Sequence, residues 1–208
     1  MVYRKIKKNE IKEASKLVAD SFWDYPLFDG IIPDKKKRLD FLRDIHELNI
    51  KVYARKHCCF VGILDGRIAC VASLRLPGKK EAGLMDYIMA GGIKVLRHIN
   101  VREIFHFLTL LEEAGKACDT LTEHTWYVES LAVAPFCQGQ QIGSKMLNHC
   151  IKPYVSKNGG GKLTLITNTD RNRKFYKKNG FKEFDGRQLD YNGFKFGNWS
   201  FELLVPAS

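Results

Sequence analysis

The chain has 208 residues, 45% of them hydrophobic with 13 Phe among them, and a formal net charge of +11. That length suits one domain, and that apolar content excludes a disordered chain. No run approaches the roughly 20 apolar residues of a membrane span, and Met1 to Lys8 lacks the apolar stretch of a signal peptide, so a cytoplasmic protein with no membrane partner is expected.

In chain order, Val2 to Ile6 reads as a strand. Asn9 stands where it can cap a helix whose apolar face is Ile11, Ala14, Leu17, Val18 and Phe22. Pro26 and Pro33 punctuate the loop that follows. Asp34 opens a second helix, with Leu39, Leu42, Ile45 and Leu48 inward and Lys35, Lys36 and Lys37 outward. Cys59 to Leu64 and Ile68 to Leu76 form a hairpin pattern around Asp65-Gly66. After Pro77-Gly78, Gly83 to Lys94 and Val101 to Lys116 read as helices, a helical insertion over residues 83–119. Phe105, Phe107, Leu108 and Leu111 of that insertion either line a pocket or serve the core.

Thr125 to Val133 is the next strand, ended by Pro135, and Ile142 to Val155 the next helix. Gly159-Gly160-Gly161 marks a loop before a strand from Leu163 to Thr167. Arg171 to Asn179 is a short helix closed by Gly180, the residue suited to a left-handed helix end. Phe181 to Leu189 and Phe194 to Leu204 form a second hairpin near Asn192-Gly193. With neither repeat nor linker, this order predicts a single α+β domain over residues 1–208.

Six cysteines, at 58, 59, 70, 118, 137 and 150, include no CxxC pair and read as reduced, buried small hydrophobes, with no metal site expected. His98 and His106 read as surface or satisfied helix residues. From Lys145 to Lys195, 12 Lys and Arg face 4 acidic residues, a net of +8. Such a region suits a polyphosphate cofactor, nucleic acid, or simply water, and no recognised nucleic-acid motif is present.

The sharpest local signal runs from Trp126-Tyr127-Val128-Glu129-Ser130-Leu131-Ala132-Val133-Ala134-Pro135 to Gln138-Gly139-Gln140-Gln141-Ile142-Gly143-Ser144. A strand runs into a glycine-bearing loop that opens a helix. Unpaired N–H groups and the positive end of the helix dipole then face one spot, where a pyrophosphate fits. Further on stands Asn172-Arg173-Lys174-Phe175-Tyr176-Lys177-Lys178-Asn179-Gly180-Phe181.

Together these two stretches resemble the signatures of the GNAT acetyltransferases: Gln/Arg-x-x-Gly-x-Gly/Ala after a strand, then Asn-x-x-x-Tyr-x-x-x-Gly-Phe. Gln138 and Gly143 match the first, but Gln141 replaces its first glycine and puts a side chain beside the phosphate path. Every fixed position of the second is filled. The resemblance implies a central, mostly antiparallel twisted sheet of about seven strands flanked by helices. It also implies transfer of an acetyl group from acetyl-CoA to a primary amine by direct attack in a ternary complex. The backbone of Leu131, Ala132 and Val133 would pair with the pantetheine arm. Gln138, Gly139, Gln140, Gln141, Ile142, Gly143 and Ser144 would hold the pyrophosphate, and Asn172 would hydrogen-bond the cofactor. Lys145, Arg171, Arg173 and Lys174 could screen its phosphates.

An amine of pKa about 10.4 must lose a proton before it attacks a thioester, and the leaving thiolate gains from a nearby acid. The resemblance maps that acid to Tyr176. Glu129 is the candidate base, with Glu123 and His124 in reserve. Strict alternation puts Glu129 on one face with Tyr127, Leu131 and Val133. A non-catalytic acyl-CoA binder of the same fold is the alternative, suggested by Gln141. Either a monomer or a homodimer is compatible with the sequence.

Overall fold

A computed structural model describes residues 1–32, 34–121 and 125–208; Pro33, Glu123 and His124 lie outside the described residues. Its centre is a seven-stranded sheet of order β1-β2-β3-β4-β5-β7-β6. The strands are β1 (Val2–Lys5), β2 (Cys58–Leu64), β3 (Arg67–Arg75), β4 (Thr125–Val133), β5 (Gly161–Thr167), β6 (Lys182–Tyr191) and β7 (Phe194–Val205). Every neighbouring pair is antiparallel except β4 and β5. Those two are joined by a helical crossover, the kind of connection parallel neighbours require.

Among the described residues eight α-helices flank the sheet: α1 (Ile11–Phe22), α2 (Pro26–Asp29), α3 (Lys35–Lys56), α4 (Leu84–Met89), α5 (Val101–Asp119), α6 (Ile142–Met146), α7 (Lys152–Lys157) and α8 (Asp170–Lys178). In α1 the residues spaced for a helix face, Ile11, Ala14, Leu17 and Val18, are the buried ones. Asp34 caps α3 as its position suggests, its carboxylate accepting from the Lys37 N–H at 2.8 Å. α2 replaces part of an expected loop, because Pro26 at the first helical position has no N–H to leave unpaired.

Two helices break where a single one was expected. α4 stops before Gly91, whose φ of 99° is left-handed, and a 3-10 turn, Gly92–Arg97, follows. Between α6 and α7 the chain widens into a π segment, Leu147–Ile151. Pro153 explains it: proline offers no N–H to the carbonyl four residues back and crowds that turn.

The core has two parts. One lies against the sheet and includes Leu74, Trp126, Met146, Leu147, Leu163 and Phe201. The other gathers Phe28, Phe41, Leu42, Phe107, Leu110 and Phe196, so the insertion packs on α3 and the last hairpin. Asp44 of α3 ties it down through Lys94, Arg97 and His98. Only Phe107 of the suggested pocket residues is inward; Phe105, Leu108 and Leu111 are 58%, 39% and 37% exposed. That face of α5 is turned to solvent. All six cysteines are free and buried. Among the described residues no helix is long and apolar enough to cross a membrane, and no group of His, Cys, Asp and Glu could hold a metal.

Candidate active site

A wedge opens in the middle of the sheet. Among the described residues β4 and β5 pair at Thr125↔Lys162, Trp126↔Leu163 and Tyr127↔Thr164, then part. The closed end is fastened by the Trp126 indole N–H donating to the Gly160 carbonyl at 2.7 Å. The Thr164 hydroxyl, donating to the Trp126 carbonyl at 3.0 Å, adds to it. Beyond it, one edge of β4 from Val128 to Val133 has no strand partner among the described residues. Such an edge offers backbone donors and acceptors to an extended ligand.

Glu129 sits on a β-bulge. Leu74 pairs with Val128 and Ser73 with Ser130, so Glu129 is the extra residue of β4. Directly paired residues share a face, which places Leu131 and Val133 with Val128 and leaves Glu129 on the opposite side. Simple alternation is therefore wrong here: Glu129 faces α3 and Val133 faces α6. The Tyr53 hydroxyl donates to the Glu129 carboxylate at 2.8 Å and the Asn49 amide at 3.5 Å. From α4, the Tyr87 hydroxyl donates to the Asn49 amide oxygen at 3.0 Å.

At the mouth of the wedge, the Val133 carbonyl accepts from the Ser21 hydroxyl at 3.1 Å and from the Gln138 side-chain amide at 3.0 Å. The Gln138 side chain thus ties the loop back to the strand, and its backbone N–H donates to the Pro135 carbonyl at 3.4 Å. Gly139 has φ 81° and Gln141 φ 61°, both left-handed. Gln141 is the N-cap of α6, so the glycine that the GNAT signature places there has a backbone reason. Gly143 has a packing reason: a Cβ on it would meet Phe175 Cζ at 3.1 Å and Val133 Cγ2 at 3.5 Å. Gly139, Gln140 and Gln141 are exposed and Ser144 half-buried, whereas Ile142 points into the core.

The other flank carries Tyr176, buried against Phe175, Phe181 and Phe201 with ring centroids 5.1, 5.5 and 5.8 Å away. Its hydroxyl has no hydrogen-bond partner among the described residues. Burial, and then the neighbouring Tyr25 phenol, push its pKa up, so it keeps its proton at neutral pH. Tyr25 accepts from the Asn168 N–H at 2.8 Å and lies 3.1 Å from the Thr167 hydroxyl. Burial raises Tyr25 too, opposed by Thr167, Asn168 and the Asn172 side chain. The Asn172 N–H donates at 3.2 Å to the hydroxyl oxygen of Thr169, the N-cap of α8.

Arg173 is committed elsewhere. Both its bonds to Glu183 measure 2.7 Å and its guanidinium covers the Trp199 ring at 5.0 Å, so it screens no phosphate in this arrangement. Lys145, Arg171 and Lys174 are exposed. Asn49, Tyr53, Tyr87 and Tyr25 were not foreseen: they stand outside both signatures, and only the tertiary fold brings them in.

Residues 102–183 match the family model described as an acetyltransferase (GNAT) domain. No curated protein matches the sequence. An acetyltransferase from Corynebacterium glutamicum, described with the histone acetyltransferase HPA2, aligns over 100% of this chain and 96% of its own at 18% identity and TM-score 0.64. The Drosophila melanogaster polyamine N-acetyltransferase aligns over 98% of this chain and 99% of its own at 16% identity and TM-score 0.61. An arylalkylamine N-acetyltransferase of the yellow fever mosquito aligns over 98% of this chain and 86% of its own, at 13% identity and TM-score 0.66. The class follows: this is the fold of the GNAT acetyltransferases, and residues 102–183 are similar to their family model.

Proposed function

We propose that the protein transfers an acetyl group from acetyl-CoA to a primary amine by direct attack. The observation that carries this reading is the wedge itself: an unpaired β4 edge between Glu129 on one side and an unpartnered, proton-bearing Tyr176 on the other. The backbone of Leu131, Ala132 and Val133 lies where an extended arm would pair, although the Val133 carbonyl already accepts two bonds. Gln138 shapes the exposed loop through its own bonds, and the backbone N–H groups of Gly139, Gln140 and Gln141, with Ser144 on the first turn behind them, would meet a phosphate. Acetyl-CoA supplies the activated thioester. Glu129 takes one proton from the ammonium, directly or through water, and the neutral nitrogen bonds to the carbonyl carbon. The carbon–sulfur bond breaks with its electron pair on sulfur, and Tyr176 gives that sulfur its proton. The second proton the nitrogen sheds as the amide forms restores the phenol. The structural neighbours named for polyamine and arylalkylamine acetylation support an amine acceptor.

A second reading, a non-catalytic acyl-CoA binder, is favoured by Gln141 in the left-handed position. One experiment separates them. Acetyl-CoA is titrated calorimetrically into the wild type and Gln141→Gly, and CoA release is followed over an amine panel with the wild type and Tyr176→Phe. Micromolar binding by the wild type is expected, with turnover lowered about 100-fold in Tyr176→Phe and acetyl-CoA affinity unchanged. Binding without CoA release from any amine would favour the non-catalytic reading.

A further inference from the structure

Among the described residues, carboxylates held by another side chain are otherwise held by cations. Glu10 has Arg4, Asp29 has Arg38, Asp44 has Arg97 and His98, Asp86 has Lys56, Asp119 has Arg75 and Glu183 has Arg173. Glu129 is the exception. Its two side-chain donors, the Tyr53 hydroxyl at 2.8 Å and the Asn49 amide at 3.5 Å, are neutral. Neutral donors orient a carboxylate without cancelling its charge, and in a protein of net charge +11 a fixed, uncancelled negative charge stands out.

Three phenols surround that charge. Burial first, and then the Glu129 carboxylate, push the pKa of Tyr53, Tyr87 and Tyr127 upward, which places all three within electrostatic reach of it and keeps them neutral. Arg75 is also in this neighbourhood, stacked 4.7 Å from the Tyr127 ring centroid. It is already bound to Glu81 and, at 3.0 Å, to Asp119, so it leaves Glu129 uncompensated. A carboxylate oriented by neutral donors and set among neutral phenols is an environment that favours an organic cation through its charge.

We infer that Glu129, with Asn49, Tyr53, Tyr87 and Tyr127 around it, forms a recognition site for an organic ammonium group, and that the acceptor is an amine without a carboxylate beside its amino group. A carboxylate on the carbon that bears the ammonium would be held next to Glu129, where like charges repel; Arg75, which might have received it, is engaged. The insertion takes part in this selection because Tyr87 belongs to α4 and fixes Asn49. Calling the ligand an acceptor rests on the acetyl-transfer reading; the cation site does not.

The test uses pairs of compounds that differ only by that carboxylate: agmatine and arginine, cadaverine and lysine, phenethylamine and phenylalanine. Each is titrated calorimetrically into the full chain, without acetyl-CoA, for the wild type, Glu129→Gln and Tyr53→Phe. The expected result is that at least one amine binds tenfold or more tightly than its amino-acid counterpart. Glu129→Gln should weaken that amine by a further tenfold or more. Tyr53→Phe, which keeps the ring and loses the donor, should weaken it by a smaller factor. Thermal unfolding checks that both variants are folded, and if Glu129→Gln is not, Tyr53→Phe and Tyr87→Phe decide. Amino acids binding as well as their amines, no amine binding at millimolar concentration, or indifference to Glu129→Gln would each overturn the site. Amine binding without CoA release keeps the cation site and overturns acetyl transfer; CoA release with unchanged amine affinity in the variants does the reverse.

Discussion

At the scale of single residues, His46 makes the clearest demand on pH. It is buried between Phe22 and Phe28, with ring centroids 5.4 and 6.0 Å away, and its Nε2 has no partner among the described residues. Burial lowers its pKa to about 4, against about 6.5 in an unfolded chain. The fold therefore keeps the ring neutral where the unfolded chain takes up a proton. That contribution is intact above pH 6.5 and is lost as pH falls toward 4, by up to about 1.4 kcal/mol per pH unit. Urea unfolding at pH 7 and pH 5 should show the wild type losing more stability than His46→Phe. Gln141 is a different kind of cost, a non-glycine residue at φ 61°. Glycine there relieves left-handed strain of about 1 kcal/mol but restores about 0.5–1 kcal/mol of unfolded-chain entropy. The Gln141→Gly variant is thus chiefly a probe of the loop and little of stability.

At the scale of elements, the contact of α6 with α8 is set by Gly143. A methyl group there would stand 3.1 and 3.3 Å from two carbons of the Phe175 ring, tighter than ordinary contact. Phe175 precedes Tyr176 in α8, so pressure on it reaches the flank that holds the candidate acid. Gly143→Ala should destabilise the protein by about 1 kcal/mol, lowering Tm by about 2–4 °C, as differential scanning calorimetry would report. The elements themselves were largely legible: β4 runs from Thr125 to Val133 as its β-formers indicate, and α1 buries Ile11, Ala14, Leu17 and Val18 with Phe22 half-buried. By contrast, α3 buries Leu42 and Leu48 but leaves Leu39 and Ile45 half-buried and turns Phe41 and His46 inward. The bulge at Glu129 was not, because one extra residue in a strand leaves no mark on composition or periodicity. Its register exists only relative to β3. The π segment was missed for a related reason: the expected helix from Ile142 to Val155 spans Pro153, and the widened turn upstream is how the chain accommodates that proline.

At the scale of the whole molecule, the two signatures located the loop and Tyr176, since both are local patterns of backbone demand and packing. What surrounds Glu129 was invisible for a physical reason. Tyr53 and Asn49 lie 76 and 80 residues away along the chain, and Tyr87 reaches Asn49 across 38 more. Contacts of that separation depend on how α3 and the insertion settle on the sheet, which no short motif encodes. The two-part core follows the same logic, with the second part assembled from α2, α3, α5 and the last hairpin.

The parting of β4 from β5 reaches beyond ligand binding. Among the described residues three pairs join the two strands, while β3 with β4 and β5 with β7 are paired along most of their lengths. Native-state hydrogen exchange should therefore resolve two cooperative units, β1 through β4 and β5 through β7, whose opening free energies differ. A molecule lodged between them would bridge the units, and the amides on both sides would then slow together.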